Sequence, residues 1–355
     1  MRDVTRVTTL ACSLLVLACT ADRAADMGSD LDPNGEGDDE GGDDSSDDSQ
    51  GPRQDDDSGD DGEDEDDRGG KDASTGNEDP DSGTGGGPKT SCTGKPGAPG
   101  LTMRQINGHN VQVYVPKKAD PNKAAPLLLV HHGFLLDGEA MRTATGYEAI
   151  AEREGFAVAF PDGLNNGLGN TWNAGTGLCG GADLVAGKDD DLTFVREMIS
   201  SIEADQCISR EHVFMTGFSM GGFFSNHAGC QLGGDLIRGI APSSSGSYEG
   251  TCPGKPIPVM FWHGTLDSTV PSSCSPSARD LWVKRNGCKS TFDTVSIKGG
   301  KCEWQHGCPA GAQVVLCMVD GMNHQWSGGT GLIGAPNSEN ASEMIWKFFK
   351  DQHGL

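Results

Sequence analysis

From residue 126 onward, short apolar runs alternate with stretches whose apolar residues recur every three or four positions. Pro126-Leu127-Leu128-Leu129-Val130, Phe156-Ala157-Val158-Ala159-Phe160, Pro258-Val259-Met260-Phe261-Trp262 and Gln313 to Val319 are nearly continuous in apolar residues, and Ile237 to Ala241 adds a shorter run. Runs of this kind predict strands buried on both faces, the habit of parallel sheets. Pro161 stops the second of them. Helical spacing covers about Glu139 to Arg153, about Asp191 to Ala204 and about Ser338 to Asp351, where Met344, Ile345, Phe348 and Phe349 form the apolar side. Asp189 or Asp190 stands where the second helix needs a cap. Ahead of the series, Asn107-Gly108 predicts a two-residue hairpin turn, with Val111 to Val115 alternating as its second strand. Strands that alternate with helices predict an α/β architecture: a mostly parallel sheet with helices on both faces.

The first ninety residues do not share this pattern. Arg2 and Arg6 precede an apolar run, Val7 to Ala18, too short for a resident membrane span, as in an export signal. Leu15-Val16-Leu17-Ala18-Cys19 resembles a bacterial lipobox, which implies cleavage before Cys19 and lipidation of that cysteine. The alternative is ordinary cleavage that leaves Cys19 a stray thiol. From Asp22 to Thr90 there are 26 acidic and 5 basic side chains, a net charge of −21 out of −25 for the whole chain. The remainder is mainly Gly and Ser. Such a segment cannot offset its ordering entropy by burial and is expected to be a disordered, self-repelling tether. No complete calcium-binding loop occurs in it, so diffuse counter-ion binding is expected. The acidity argues against nucleic acid as a partner. The expected organisation is a signal peptide over 1–18, lipidated Cys19 with the tether over 19–90, and one catalytic domain over 91–355.

The chemistry centres on Gly217-Phe218-Ser219-Met220-Gly221-Gly222. A short apolar strand, Glu211 to Thr216, precedes it and a helix, Gly222 to Cys230, follows. Gly-x-Ser-x-Gly between strand and helix predicts a nucleophile elbow, a turn so tight that side chains at 217 and 221 would collide. Ser219 Oγ would stand at a helix N-terminus, in a strained backbone state. A serine hydroxyl needs a base, and the base needs an orienting carboxylate. Asp267 follows the strand ending His263-Gly264. His324 lies on a loop after the strand Val314 to Val319. The chain order Ser219, Asp267, His324 is the one an α/β-hydrolase requires. Met220 N–H, next to the nucleophile, and Phe134 N–H, after the strand ending His132-Gly133, are the expected oxyanion donors. His131 and His132 lack a third ligand at metal spacing, so they are expected to pack beneath the site, with no metal and no cofactor.

At this point the chain resembles a known family. Over 91–355 it is similar to the secreted feruloyl esterase and polyhydroxybutyrate-depolymerase-like esterases of the α/β-hydrolase fold. The matching pieces are Ser91-Cys92-Thr93-Gly94-Lys95-Pro96, His132-Gly133, Trp172-Asn173-Ala174-Gly175 and Asp190-Asp191-Leu192-Thr193-Phe194-Val195. They continue with Cys207 through Gly222, Cys230, Arg285-Asn286-Gly287-Cys288 and Gly321 through Trp326. The resemblance implies a serine esterase acting on ester-linked phenolic acids or short hydroxyacid esters.

Twelve cysteines suit an exported chain, and setting Cys12 and Cys19 aside leaves ten. Residue spacing leaves their pairing open. The resemblance implies Cys207–Cys230, which would clamp the elbow, together with Cys288–Cys308 and Cys92–Cys252. Cys179–Cys274 and Cys302–Cys317 would use the rest.

Trp172 and Asn173 on a Gly-rich loop, and Trp326 two residues after His324, are candidates for binding a ferulate ring or a sugar. Each tryptophan could equally be a packing residue, and Trp262, inside a strand, is expected in the core. The expected partner is a polysaccharide-linked or oligomeric ester. Membrane contact is expected through the lipid only, and the protein is expected to be a monomer. The leading expectation is hydrolysis of hydroxycinnamoyl esters of plant polysaccharide. Short hydroxyalkanoate or acetyl esters are the second, and a catalytically inactive binding protein on the same scaffold is the third.

Overall fold

The computed structural model describes Cys92, Lys95 and residues 97–355 apart from Lys118, Pro121 and Asn122. The expected signal segment, Cys19 and the acidic stretch lie outside the described residues.

A ten-stranded sheet organises the fold. In chain order its strands are β1 (Gly100–Ile106), β2 (His109–Val115), β3 (Ala125–His131), β4 (Ala157–Pro161), β5 (Ile208–Phe218), β6 (Gly239–Ser243), β7 (Val259–Gly264), β8 (Phe292–Ile297), β9 (Gly300–Gln305) and β10 (Val314–Val319). In space they run β1-β2-β4-β3-β5-β6-β7-β10-β9-β8. The stretch from β4 to β10 is parallel throughout. An antiparallel hairpin closes each edge, β1–β2 on one side and β8–β9 on the other. The first turns at Asn107 and Gly108, both at positive φ (49° and 83°), as a type I′ turn demands.

Alternate strand residues feed two apolar layers. Leu127, Leu129, Met215, Ile240 and Phe261 face helices α3 (Asp191–Asp205), α4 (Met220–Leu232) and α5 (Cys274–Asn286) in one core. Leu128, Val130, Phe214, Met260 and Trp262 share the other with α1 (Gly138–Thr145), α2 (Tyr147–Glu154) and α6 (Ala341–His353). Asp190 caps α3 by accepting from Thr193 N at 3.0 Å. In α6, Ile345, Phe348 and Phe349 are buried as expected, Trp346 joins them, and Met344 is half-buried.

The helix expected over 139–153 is two helices. Gly146, at φ 63°, ends α1 and lets the chain turn into α2, which an interior glycine at a left-handed position does readily. The β8–β9 hairpin and α5 have no counterpart in the sequence reading. β8 is exposed over five of its six residues, so it has no apolar face to betray it.

Among the described residues five disulfides form: Cys92–Cys207, Cys179–Cys274, Cys230–Cys252, Cys288–Cys308 and Cys302–Cys317. Three agree with expectation. The implied Cys207–Cys230 and Cys92–Cys252 bridges do not form, for a reason of geometry. Ile208 pairs with Ala125 and Gly217 with His131, six residues apart along β3, so β5 descends roughly 20 Å from the elbow to the level of Cys207. The ten helical steps from Met220 to Cys230 return only about 15 Å, one layer above the sheet. A disulfide needs Cα atoms within about 7 Å. Cys207 instead meets Cys92 at 5.1 Å, and Cys230 meets Cys252 at 4.8 Å. Cys207→Ser is therefore expected to expose the thiol of Cys92 and leave Cys230 bridged. Cys92–Cys207 has a sequence separation of 115, so opening it should lower Tm by several degrees; the chain-entropy model assigns such a loop about 4–5 kcal/mol. Peptide mapping that recovered Cys207 joined to Cys230 would contradict this pairing.

Candidate active site

β5 ends at Phe218 and α4 begins at Met220, so Ser219 alone makes the turn, at φ 54° and ψ −119°. A non-glycine residue there carries strain of about 1–3 kcal/mol, a cost typical of functional turns. The flanking glycines are steric necessities. A Cβ on Gly217 would lie 2.3 Å from Gly221 O, and one on Gly221 would lie 2.3 Å from His131 O. Ser219 N–H donates to Ser243 O at 2.9 Å, tying the elbow to the end of β6. The serine side chain is half-buried and uncommitted to capping the helix behind it.

Asp267 and His324 come together from loops after β7 and β10. Those loops are laced to each other. Thr265 N–H donates to Val319 O at 2.9 Å, Leu266 N–H to Met322 O at 3.0 Å, and Gly321 N–H to Thr265 Oγ1 at 2.9 Å. A side chain on Gly264 would strike Met322 O at 2.1 Å, so the close approach depends on that glycine. His324 Nδ1 lies 2.8 Å from Asp267 Oδ2. The other carboxylate oxygen accepts from Thr269 N (3.0 Å) and Val270 N (2.9 Å). Burial opposes the charge on Asp267, but hydrogen bonds from His263, His324 and Val270 N outweigh it and hold the carboxyl well below the usual carboxylate range. The His324 ring leans on Phe218, centroids 4.7 Å apart, and is partly open to solvent. Among the described residues no hydrogen bond joins Ser219 Oγ to His324; bonds between a nucleophile and its base commonly tighten only around substrate.

Two backbone donors stand close to the elbow. Met220 N–H opens α4 and has no intrahelical partner, because Thr216 four residues back is in β5. Phe134 N–H makes no hydrogen bond among the described residues. Gly133 brings this loop against the elbow: a Cβ there would be 3.1 Å from Ser219 Cβ.

The expected aromatic platform is absent. Trp172 is 0% exposed; its ring stacks on Phe224 at 5.4 Å, and its Nε1 donates to His132 O at 3.0 Å. Trp326 is also 0% exposed, with Nε1 donating to Ser342 Oγ at 3.0 Å. Neither ring can stack on a substrate, so the binding role expected for both is corrected to packing. Asn173 is half-buried and spends its side chain on its own loop, donating from Nδ2 to Asp189 O at 2.8 Å and accepting from Gly175 N at 3.3 Å. Its backbone N–H reaches buried Asp191 Oδ2 at 2.6 Å, so it too organises the loop rather than presenting itself. His131 is fully buried, its charge opposed first by burial and then by His132, which brings its pKa down to about 3.

Two contributors escaped the sequence reading. His263 is buried, with Nε2 3.3 Å from Asp267 Oδ2, so the carboxylate serves two imidazoles. Asn323 Oδ1 accepts from Ser268 N (3.2 Å) and His324 N (2.9 Å), pinning both loops. The four-residue spacing from His263 to Asp267 was the available signal for the first.

Comparison with known proteins places this geometry. The Esterase family model matches residues 107–235. The chain is 30% identical over 261 residues to "Feruloyl esterase B" of Piromyces equi, covering 68% of this chain and 44% of that protein. It is 28% identical over 266 residues to "Feruloyl esterase C" of Emericella nidulans, covering 71% and 88%. It thus spans less than half the length of the first relative and most of the second. Among solved structures, an acetyl xylan esterase from Aspergillus awamori superposes with a TM-score of 0.53 at 14% identity, covering 70% of this chain and 98% of that one, which speaks to the fold alone. The elbow between strand and helix, the mostly parallel sheet beneath it and these relatives lead to one conclusion: the chain has the α/β-hydrolase fold and is similar to the esterases that include the feruloyl esterases.

Proposed function

We propose that this protein is an exported serine esterase that hydrolyses carboxylic esters through an acyl-enzyme, with hydroxycinnamoyl esters of plant polysaccharide as its substrate class. The observation that carries the mechanism is the pairing of His324 with buried, ionised Asp267 at 2.8 Å beside a strained serine. Ser219 Oγ attacks the ester carbonyl as His324 Nε2 takes its proton. Met220 N–H and Phe134 N–H receive the negative charge that develops on the carbonyl oxygen. His324 returns the proton to the leaving alcohol. Water then enters, gives a proton to His324, and its oxygen attacks the acyl carbon; the acid departs and Ser219 recovers its proton. Asp267 holds Nδ1–H in place and stays ionised. Five disulfides fit an oxidising compartment and support the exported location.

The relatives' names favour feruloyl substrates. Large apolar side chains stand exposed on the loops after β4 and β7, at the Ser219 end of the sheet: Leu168 (65%), Leu184 (72%) and Leu266 (64%). Covering such surface is worth about 25 cal/mol per Å². Burial of Trp172 and Trp326 favours the second reading, short acetyl or hydroxyalkanoate esters, because it removes the aromatic platform. A panel of methyl ferulate, acetylated xylan, hydroxybutyrate oligomers and p-nitrophenyl acetate separates them. Methyl ferulate is expected to exceed methyl acetate in kcat/KM by at least about tenfold, or 1.4 kcal/mol. Equal values, or faster hydroxybutyrate turnover, would transfer the assignment to short acyl esters.

A further inference from the structure

We infer that His132 is a positioning residue for the oxyanion hole: its ring, confined to one tautomer, turns the Gly133–Phe134 peptide so that Phe134 N–H faces Ser219. The inference rests on the serine-esterase reading above. His132 follows β3 and is fully buried. Its Nε2 is 2.8 Å from the backbone N–H of Gly163. A backbone N–H can only donate, so Nε2 is the unprotonated nitrogen. An imidazolium would carry a proton on Nε2 as well, which the Gly163 N–H forbids, and burial lowers the ring's pKa in the same sense, so the single proton sits on Nδ1. Nδ1 lies 2.7 Å from Gly133 O, which can only accept. Both contacts therefore demand the same tautomer.

The consequence is stereochemical. Gly133 C=O and Phe134 N–H belong to one planar trans peptide and point in opposite directions. His132 Nδ1–H and Leu136 N–H (3.1 Å) hold the carbonyl on one side. The N–H, which has no partner among the described residues, is thereby turned to the other, where Gly133 abuts Ser219. The loop would not keep this pose unaided. Leu135, the next residue, is held at φ 68°, a left-handed state that leucine rarely adopts. Beneath the ring, Trp172 packs at 5.0 Å and donates to His132 O, which gives that buried tryptophan a purpose as a floor.

Two substitutions and one measurement on the unmodified protein test this. Asparagine puts an amide nitrogen near the Nδ1 position and can still donate to Gly133 O. Glutamine reaches the Nε2 position and can still accept from Gly163, but loses that donor. On p-nitrophenyl acetate, His132→Gln is expected to lower kcat by about 100-fold with KM within about threefold. His132→Asn is expected to stay within about tenfold of wild type. The thionoester analogue places sulfur, a poor acceptor, in the hole, so His132→Gln should slow it far less and the oxo/thiono rate ratio should fall by at least about tenfold. In the folded wild-type protein, ¹⁵N NMR is expected to show His132 protonated at Nδ1 and bare at Nε2. The opposite tautomer, an equal fall on both esters, an undiminished His132→Gln, or His132→Asn no better than His132→Gln would overturn the inference. Ser219→Ala in the same assay separates the two levels. If it stays active, the serine mechanism falls; if it is inert while His132→Gln keeps its kcat, the positioning role alone falls.

Discussion

Alanine at Ser219 is expected to lower kcat on p-nitrophenyl acetate or methyl ferulate by about four orders of magnitude, with KM little changed. The change removes Oγ and nothing else that the fold uses. The backbone bond from residue 219 to Ser243 O remains, and the side chain makes no cap on α4. Tm should therefore stay close to wild type. Adding His324→Ala should cost little more, because the base has nothing left to deprotonate. Activity within tenfold of wild type in Ser219→Ala would remove the serine mechanism.

Asp267→Asn is expected to be almost as severe, again about 10⁴ in kcat, although it changes no volume. The reason is specific to this site. Thr269 N–H and Val270 N–H both donate to Oδ1, so the amide oxygen of an asparagine must stay on that side. Its NH₂ group is then forced toward His324 Nδ1, 2.8 Å from the present Oδ2. Nδ1 must become an acceptor, the ring proton moves to Nε2, and the base arrives at Ser219 already protonated. The same NH₂ meets His263 Nε2, which lies 3.3 Å from Oδ2, so the buried pair must also readjust. A steady-state kcat within tenfold of wild type would show that Asp267 does not set the tautomer of His324.

What the sequence revealed and what it hid divide along physical lines. The elbow is local: the tightness at residues 217 and 221 follows from five consecutive residues, and a Cβ on Gly217 would lie 2.3 Å from Gly221 O, while the clash of one on Gly221 with His131 O needs the fold. The parallel strands were legible because burial on both faces makes them almost purely apolar, as in β4, β6 and β7. β8 hid because it is solvent-facing, and the split between α1 and α2 hid because Gly146 sits inside an otherwise helical pattern. The disulfide partners of Cys207 and Cys230 depend on how far a strand descends and a helix climbs, a difference in rise that no spacing in the sequence displays. Trp172, on a loop, and Trp326, in a two-residue strand paired with Gly334–Ala335, lie outside the ten-stranded sheet, yet the fold encloses both rings. His263 read as a strand end because its link to Asp267 exists only once β7 turns back over its own last residues.

The nucleophile can be identified directly. The protein is incubated with a p-nitrophenyl alkylphosphonate, release of p-nitrophenol is counted, and the digested product is mapped by mass spectrometry. One equivalent released, with a single phosphonyl adduct on the peptide carrying Ser219 and none in Ser219→Ala, is the expected result. Esterase activity that persists without an adduct on Ser219, or an adduct confined to another residue, would contradict the mechanism at its centre.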